Sequence, residues 1–244
     1  MSQSSNATAI RPTTIEPYPT GAPGSVMITQ GKTKVLCTTS ISDDVPPWLI
    51  DQATGEARHG WVTAEYAMLP GSTPRRKRRG LDSRGTEIQR LIGRALRASV
   101  DLNKMPGLVF TCDCDVIVAD GGTRSASITG AFVSLSQAIG VARTNGLLAD
   151  DPILGPLAAV SVGIVKGEPV LDLDYELDAA ADVDMNVAMN HEGNFVELQA
   201  TAERGTMSRT QLDQLLELAA KGITDLMEIQ RRTLATQSKR GTSC

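Results

Sequence analysis

The stretch LVFTCDCDVIVADGGTRSASITGA (residues 108–131) decides the fold, because one sequence pattern gives way to another within it. Residues 108–119 are rich in β-branched residues, which predicts a strand. Gly121 and Gly122 predict a tight turn after that strand. From residue 125 to residue 142, small and apolar residues predict a helix that is buried on most sides. The chain therefore passes from a strand into a core helix through a pair of glycines.

The glycine pair also gives this turn the features of an anion-binding site. The first backbone N–H groups of a helix have no partner within it and lie at the positive end of its dipole. Gly121 and Gly122 let the main chain approach a ligand closely, and Thr123 can cap the helix or donate its hydroxyl. Arg124 adds a forked cation that matches phosphate oxygens. Because such turns are common, a purely structural turn is the alternative.

Basic residues are concentrated in one part of the sequence. Residues 58–97 contain ten lysines and arginines but only three acidic residues, and so carry +7 in a chain of net charge −4. Local neutralisation of phosphates sets the affinity for a polyanion, so this segregation predicts a polyanion site. A solvated loop with chance clustering is the alternative. Half of these cations form what we call the basic loop: Arg75, Arg76, Lys77, Arg78 and Arg79.

On either side of the basic loop the sequence predicts a strand at 61–68 and a helix at 86–100. The pattern Thr86-x-x-Gln89 fits a capping box at the start of this helix. Arg84 lies just before it, where it could hold a phosphate together with the arginine of the glycine turn. Spacings of four and three residues bring three more arginines into line on a different face of the helix: Arg90, Arg94 and Arg97.

The whole chain predicts an α+β fold of two similar units, each with strands followed by a helix. A Ser-, Thr- and Pro-rich start predicts a flexible or draped arm up to about residue 23. The remaining predicted strands are 25–29, 34–42, 158–166, 169–175, 183–189 and 194–200. The last four pair as two hairpins, and a long amphipathic helix at 211–232 follows them.

Acidic residues accumulate in one segment of the second unit. Such a density of carboxylates is self-repulsive unless a cation, a basic partner or a proton relieves it. Oxygen ligands without histidine or thiolate favour Mg²⁺ or Mn²⁺ over zinc. Asp182 and Asp184 would share one strand face, and Asp178 would approach from the preceding turn; a solvated acidic loop is the alternative. The six residues are Asp172, Asp174, Glu176, Asp178, Asp182 and Asp184.

Other residue types exclude several classes of protein. The histidines, His59 and His191, lie in no metal-ligand or triad context, which argues against histidine-based catalysis. Cys112 and Cys114 share a strand face without a second ligand pair, so we expect them to be small buried hydrophobes. Cys37 and Cys244 complete a set too small for a disulfide scaffold. We expect neither a secretory signal nor a charge-free run of about 18 residues, which predicts a soluble cytoplasmic protein without membrane contact.

Several segments of the chain closely resemble the ribonuclease PH family. They are long, they occur in the family's order, and the resemblance extends from about residue 11 to residue 234. The segments are GWVTAEYAMLP (60–70), EIQRLIGRALRA (87–98), DCDV (113–116), ADGGTRSASITGA (119–131) and DVDMNV (182–187).

This resemblance implies an activity. Members of the family are phosphate-dependent 3′→5′ exoribonucleases that trim tRNA precursors. Inorganic phosphate, the co-substrate, attacks the last phosphodiester and releases a nucleoside 5′-diphosphate in a reversible reaction. Asp178 and Asp184 match the family's acidic pair, which holds a divalent metal, Mg²⁺ or Mn²⁺, or acts in proton transfer. The positions that match its phosphate-binding residues are Arg84, Gly122, Thr123 and Arg124.

The resemblance also implies a fold and an assembly. Two βαβ-type units related to domain 2 of ribosomal protein S5 would build a hexameric ring, a trimer of dimers. The chain would then divide into a flexible arm (1–10), a phosphate-binding unit (11–155) and a unit with the acidic site (156–240). The basic loop would guide RNA by contacts to its backbone, without reading sequence.

The chain departs from the family's pattern at a few positions, of which a serine for threonine at Ser125 is the mildest. Gly71 stands where the family usually has an arginine, and the loop from there to Arg84 is shorter. Gly85 stands where the family often has threonine. A catalytically inactive ring subunit that binds and threads RNA is the alternative to an enzyme. Both phosphate-binding arginines and both aspartates are present, which favours the enzyme.

Overall fold

The computed structural model describes residues 7–80 and 83–240. It contains two β-sheets, and its three long helices lie between them. The strands are β1 (Thr13–Pro17), β2 (Gly24–Gln30), β3 (Thr33–Ser42), β4 (Trp61–Met68), β5 (Val109–Val118), β6 (Leu157–Val165), β7 (Glu168–Leu171), β8 (Val183–Asn190) and β9 (Phe195–Ala202). The α-helices are α1 (Ser83–Arg97), α2 (Thr123–Thr144), α3 (Tyr175–Ala180) and α4 (Arg209–Arg240). This is the predicted α+β class.

The first sheet has the order β1-β2-β3-β5-β4. Its strands pair antiparallel except for β4 and β5, which are parallel and are joined by α1. These three elements form a βαβ unit, as predicted for this half. Strand β4 lies at the edge of the sheet, and its buried side packs against α1.

The second sheet has the order β7-β6-β8-β9, and all its neighbouring strands are antiparallel. The two hairpins that the sequence predicts, β6 with β7 and β8 with β9, are therefore confirmed, whereas the second βαβ-type unit that the resemblance implies has no parallel pair of strands among the described residues. A tight turn at Lys166 and Gly167 forces β7 to pair with β6, so β8 must join β6 on its other side. Helix α3 connects β7 to β8 across this arrangement.

Helix α2 is the core helix of the molecule and contacts both sheets. Gly130 lies so close to β2 that an added Cβ would come within 2.8 Å of the Ile28 side chain. Residues 125–142 contain no charged residue, so the expectation that no such run exists is wrong. By length and composition alone this helix could cross a membrane, but 83% of its apolar window is buried in the protein. Burial of this kind is typical of a core helix.

The boundaries of three elements, β1, α1 and β7, differ from the predictions. Strand β1 falls within the predicted arm, because it pairs with β2. Helix α1 begins at Ser83, so Thr86 lies inside the helix and the predicted capping box is wrong. The predicted strand 169–175 ends early, because Asp172 adopts a left-handed backbone (φ 58°). Residues 1–6 of the predicted arm lie outside the described residues.

The cysteines lie where the sequence predicts. Cys37, Cys112 and Cys114 are free thiols buried in the first sheet. Burial raises the pKa of Cys112 far above the ordinary value, and a hydrogen bond with Cys37 together with burial raises the pKa of Cys114. A thiol that stays protonated in this way is unreactive and packs as a small apolar side chain. Cys244 lies outside the described residues.

Candidate active site

The glycine turn leads directly from β5 into α2. Gly121 (φ 72°) and Gly122 (φ 65°) both have left-handed backbones, which glycine adopts without strain. Gly122 is the N-cap residue and no side chain caps the helix, so the prediction that Thr123 can act as the cap is wrong. Thr123 is the first helical residue, and its hydroxyl lies 2.9 Å from that of Tyr66 on β4. The first N–H groups of α2 therefore remain available to an anion.

Side chains from other elements hold this turn in place. The Thr33 hydroxyl donates to the Gly121 carbonyl (2.7 Å) and accepts from the Asp120 N–H (2.9 Å). The Arg11 Nη1 donates to the Asp120 carbonyl at 2.7 Å. Both main-chain carbonyls that precede the helix are thus bonded within the protein, which fixes the direction of the N–H groups that follow.

A buried ion pair ties the turn to the second half of the chain. Arg11 donates to Asp172 through its backbone N–H (2.8 Å) and through Nη2 (2.7 Å). The Asp172 side chain is fully buried, and that of Arg11 is 14% exposed. A buried charge needs such pairing, because an isolated carboxylate would be strongly disfavoured there. One guanidinium therefore joins the glycine turn to the segment that follows β7.

The glycine turn also presses against that segment directly. A Cβ added at Gly121 would lie 2.5 Å from the Leu173 carbonyl oxygen and from the Asp174 carbonyl carbon. Any side chain at this position would push the turn away from the start of α3. Glycine is therefore required here both by its backbone conformation and by the close approach.

The two predicted phosphate-binding arginines come from different helices and converge on the turn. Arg124 belongs to the first turn of α2; its side chain is 16% exposed, hydrogen-bonds to Gln199 and lies 3.7 Å from the Glu87 carboxylate. Arg84 belongs to the first turn of α1 and is exposed. Both are close enough to act electrostatically on Tyr66 and on Asp178. Two guanidinium groups therefore face the same space.

The acidic segment is divided among several tasks. Asp172 pairs with Arg11, and the Asp174 side chain caps α3 by accepting from the Leu177 N–H. Asp178 on α3 and Asp184 on β8 instead lie near enough to the arginines for their charges to lower the carboxyl pKa values: Arg84 and Arg124 act on Asp178, and Arg124 acts on Asp184. The alternative of a solvated acidic loop therefore does not account for this segment, because Asp172 and Asp174 have partners within the protein.

Partial burial raises the pKa of both carboxyls in this pair. For Asp184, the neighbouring charges of Asp178 and Glu203 raise the pKa further, and Arg124 acts against them. For Asp178, Arg84 and Arg124 oppose the effect of burial, while Glu203 adds to it. Each carboxyl thus holds a proton more readily than a solvated one.

The acidic pair also fits a divalent cation. Among the described residues no group of three acidic, histidine or cysteine side chains could hold a metal. Mg²⁺, however, is often held by one or two carboxylates, with water and substrate phosphates completing its shell. The repulsion that raises the pKa of Asp184 is the kind that a cation between two carboxylates relieves.

The basic loop forms part of the wall of an adjoining cavity of about 620 Å³. Lys77, Arg78 and Arg79 line this cavity together with Arg84. Arg75 and Arg76 are exposed and do not line it. The structure therefore places three of the five predicted cations in the wall of one cavity beside Arg84, whereas the other two do not line that cavity.

Several residues of the site were not identified from the sequence. Arg11, Thr33 and Tyr66 act through contacts with residues far away in the chain. Tyr66 lies inside one of the family-like segments, which could have identified it, but no local pattern indicates the distant partners of Arg11 and Thr33.

The fold and this site define a class of protein, and comparison with known proteins supports it. Models of the 3′ exoribonuclease family match the chain with domain 1 at residues 9–139 and domain 2 at residues 155–222. The chain belongs to this family, as the sequence predicts.

Curated relatives specify the branch of the family. Ribonuclease PH of Corynebacterium efficiens is 49% identical over 222 residues, which cover 89% of each chain. Ribonuclease PH of Parasynechococcus marenigrum is 47% identical over 234 residues, 94% of this chain and 92% of the relative. Such similarity over nearly the full length favours an enzyme over an inactive ring subunit.

Solved structures show the same fold at lower identity. A chain of the Archaeoglobus fulgidus exosome with RNA bound to the active site aligns with a TM-score of 0.77 and 21% identity, covering 91% of this chain and 89% of that chain. Rice Rrp46 aligns with a TM-score of 0.75 and 17% identity, covering 95% and 98%.

Proposed function

We propose that this chain is a phosphorolytic 3′→5′ exoribonuclease that trims tRNA precursors, and that the glycine turn and the acidic pair form its active site. The observation that carries the assignment is the convergence of Arg84 and Arg124 on one space beside Asp178 and Asp184. The fork of a guanidinium group matches phosphate oxygens, and phosphoryl transfer needs charge stabilisation more than a protein nucleophile.

Inorganic phosphate is the nucleophile in this reaction. Arg84, Arg124, Gly122 and Thr123 bind it through guanidinium groups, a hydroxyl and the N–H groups at the start of α2. One of its oxygens attacks the phosphorus of the last phosphodiester. The bond from that phosphorus to the 3′-oxygen of the preceding nucleotide breaks. The products are a nucleoside 5′-diphosphate and an RNA shorter by one nucleotide.

The leaving 3′-oxygen needs a proton to become a hydroxyl. Asp178 and Asp184 have raised pKa values, so the pair can hold a proton beside the scissile bond and supply it. Alternatively, the same two residues would hold Mg²⁺ or Mn²⁺, and the bound cation would then supply positive charge against the scissile phosphate.

The basic loop serves the RNA and not the phosphate. Its exposed cations can contact backbone phosphates without distinguishing bases, as trimming of many different RNAs requires. Three of them stand in the wall of the cavity that includes Arg84, so they would hold RNA whose 3′ end lies at the glycine turn.

The assembly and the division of the chain complete the proposal. We propose that residues 11–155 and 156–240 act as a phosphate-binding unit and a unit with the acidic site, and that six chains form a ring of three dimers in the cytoplasm. The structural neighbours in exosome cores support a ring. Light scattering of the purified protein would test the number of chains.

One assay tests the reaction. The purified full-length protein is incubated with a 3′-extended tRNA, with and without inorganic phosphate, and the products are identified. We expect nucleoside diphosphates that form only when phosphate is present. Equal degradation in phosphate-free buffer, with nucleoside monophosphates as products, would contradict the proposal.

A further inference from the structure

Both tryptophans of this aromatic-poor chain line a single groove. Trp48, from the short 3₁₀ turn after β3, is 67% exposed, and Trp61 begins strand β4. The groove runs along the free edge of β4 and has a volume of about 500 Å³. Its other wall is the face of α1 on which the sequence aligns three arginines: Arg90, Arg94 and Arg97. An exposed tryptophan beside arginines is typical of a surface that binds a ligand.

The three arginines have different surroundings. The Arg97 guanidinium lies 4.3 Å from the centre of the Trp61 ring and donates to the Val62 carbonyl at 2.9 Å. Arg94 pairs with the Glu197 carboxylate at 2.9 Å. Arg90 is exposed, and no ion pair within the described part of the chain includes it. Arg90 is therefore the cation of the groove that is free to neutralise a phosphate.

The groove adjoins the cavity that lies beside the candidate active site. Glu65 and Gln89 line both the groove and the cavity that contains Arg84. Arg84 and Arg90 lie on one helix, and six residues of helix span about 9 Å. A chain of nucleotides whose last phosphate lies near Arg84 would therefore pass Gln89 and reach Arg90 and Trp48.

We propose that this groove binds the single-stranded RNA segment just upstream of the reacting 3′ end. Trp48 stacks on a base, and Arg90 contacts a backbone phosphate. The inference rests on the proposed function, since it places the rest of the strand whose 3′ end lies at the glycine turn. Stacking on an aromatic ring accepts any base, so the groove would hold RNA without reading its sequence. Strand addition by a second copy is disfavoured, because Arg97 already occupies the Val62 carbonyl at the edge of β4.

Because both tryptophans lie in the groove, intrinsic fluorescence reports directly on its occupancy. The probe is an oligoadenylate of about ten nucleotides, titrated into the full-length protein without phosphate so that no turnover occurs. We expect quenching that saturates and weakens with salt. Trp48→Ala should lower the affinity about ten-fold or more, and Trp48→Phe should keep most of it. Arg90→Gln should reduce the log–log salt slope by about one, whereas the control Arg209→Gln on α4 should not.

Phosphorolysis of substrates of different length separates this inference from the proposed function. Trp48→Ala should raise the KM for the oligoadenylate about ten-fold and leave the turnover of a dinucleotide unchanged. If Trp48→Ala affects both substrates equally, or affects neither, the groove does not bind the upstream RNA. The proposed phosphorolysis would not be contradicted by either result. Fluorescence that changes with protein concentration but not with RNA would assign the groove to a second copy, and so also overturn it. If the unmodified protein forms no phosphate-dependent products from either substrate, the proposed function is refuted. The fluorescence titration would still test whether the groove binds RNA.

Discussion

The glycine turn and the basic loop are both rich in features that bind phosphate, but they are built differently. The turn is held by the Thr33 hydroxyl, by Arg11 and by its contact with the Leu173 carbonyl. In the basic loop, Arg75, Arg76, Arg78 and Arg79 are exposed. An anion that reacts must be held in one place, whereas a strand that slides needs charge without fixed geometry. The difference predicts that single changes in the turn act more strongly than several changes in the loop.

The largest effect is expected from Arg124→Ala. This change removes a guanidinium that opposes the charge of the attacking phosphate and of the transition state. We expect kcat/KM for phosphate-dependent trimming to fall about 100-fold or more, with the fold intact by circular dichroism. Full activity in this variant would refute the role of Arg124, and Arg209→Ala is the matched control.

The second-largest effect is expected from loss of the buried ion pair between Arg11 and Asp172, which holds the glycine turn. Asp172→Ala leaves Arg11 without its buried partner, and breaking a buried ion pair destabilises a protein by about 3 to 5 kcal/mol. Urea unfolding measures this loss. In the fraction that remains folded, the KM for phosphate should rise more than the KM for RNA, because the Asp120 carbonyl loses its anchor. An unchanged ratio of the two KM values would show that the ion pair serves stability alone.

Neutralising the whole basic loop tests the other side of the comparison. With all five cations changed to glutamine, the log–log salt slope of RNA binding should fall by about one for each lost phosphate contact. The kcat at saturating RNA should change little, because no group of the glycine turn is altered. A large fall in kcat would mean that the loop belongs to the active site. An unchanged salt slope of RNA binding would mean that the loop is only a solvated surface segment.

Tyr66→Phe should have a smaller effect than these three. It removes one hydroxyl from Thr123 and keeps the ring, so the expected rise in the KM for phosphate is about two- to ten-fold. Since the side chain is buried, a melting curve must accompany the kinetics. A change in stability without a change in KM would limit Tyr66 to packing.

The smallest effect tests whether the basic loop neutralises the acidic patch it faces. Asp113 and Asp115 line the cavity with the loop, yet partial burial raises the pKa of both, and for Asp113 the charges of Asp115 and Glu65 add to this. A carboxyl with a raised folded pKa makes the folded state less stable as pH rises through that pKa. Asp113→Asn should therefore stabilise the protein slightly at neutral pH, with no gain once the pH falls below the ordinary carboxyl pKa. A loss of stability at neutral pH would show that the loop cations pair with this patch.

Local patterns made the strand, turn and helix around Gly121 predictable, and family-like segments pointed to the arginines and the acidic pair. Prediction failed where distant parts of the chain meet. Nothing near Arg11 indicates that its partner lies 161 positions away. The capping box at Thr86 was locally plausible, but α1 begins three residues earlier, at Ser83. The order of strands in the second sheet depends on the tight turn at Lys166 and Gly167. The sequence predicts this turn but does not show that β8 then joins β6 on its other side.

The contact between Arg11 and Asp172 has a consequence for synthesis of the protein. When a ribosome has made the first half of the chain, Arg11 and the residues of the glycine turn are present, but Asp172 and both carboxyls of the acidic pair are still missing. Arg11 then has no buried carboxylate to pair with, and the two arginines have no acidic pair beside them. A chain that is cut short before residue 172 therefore lacks part of the proposed active site.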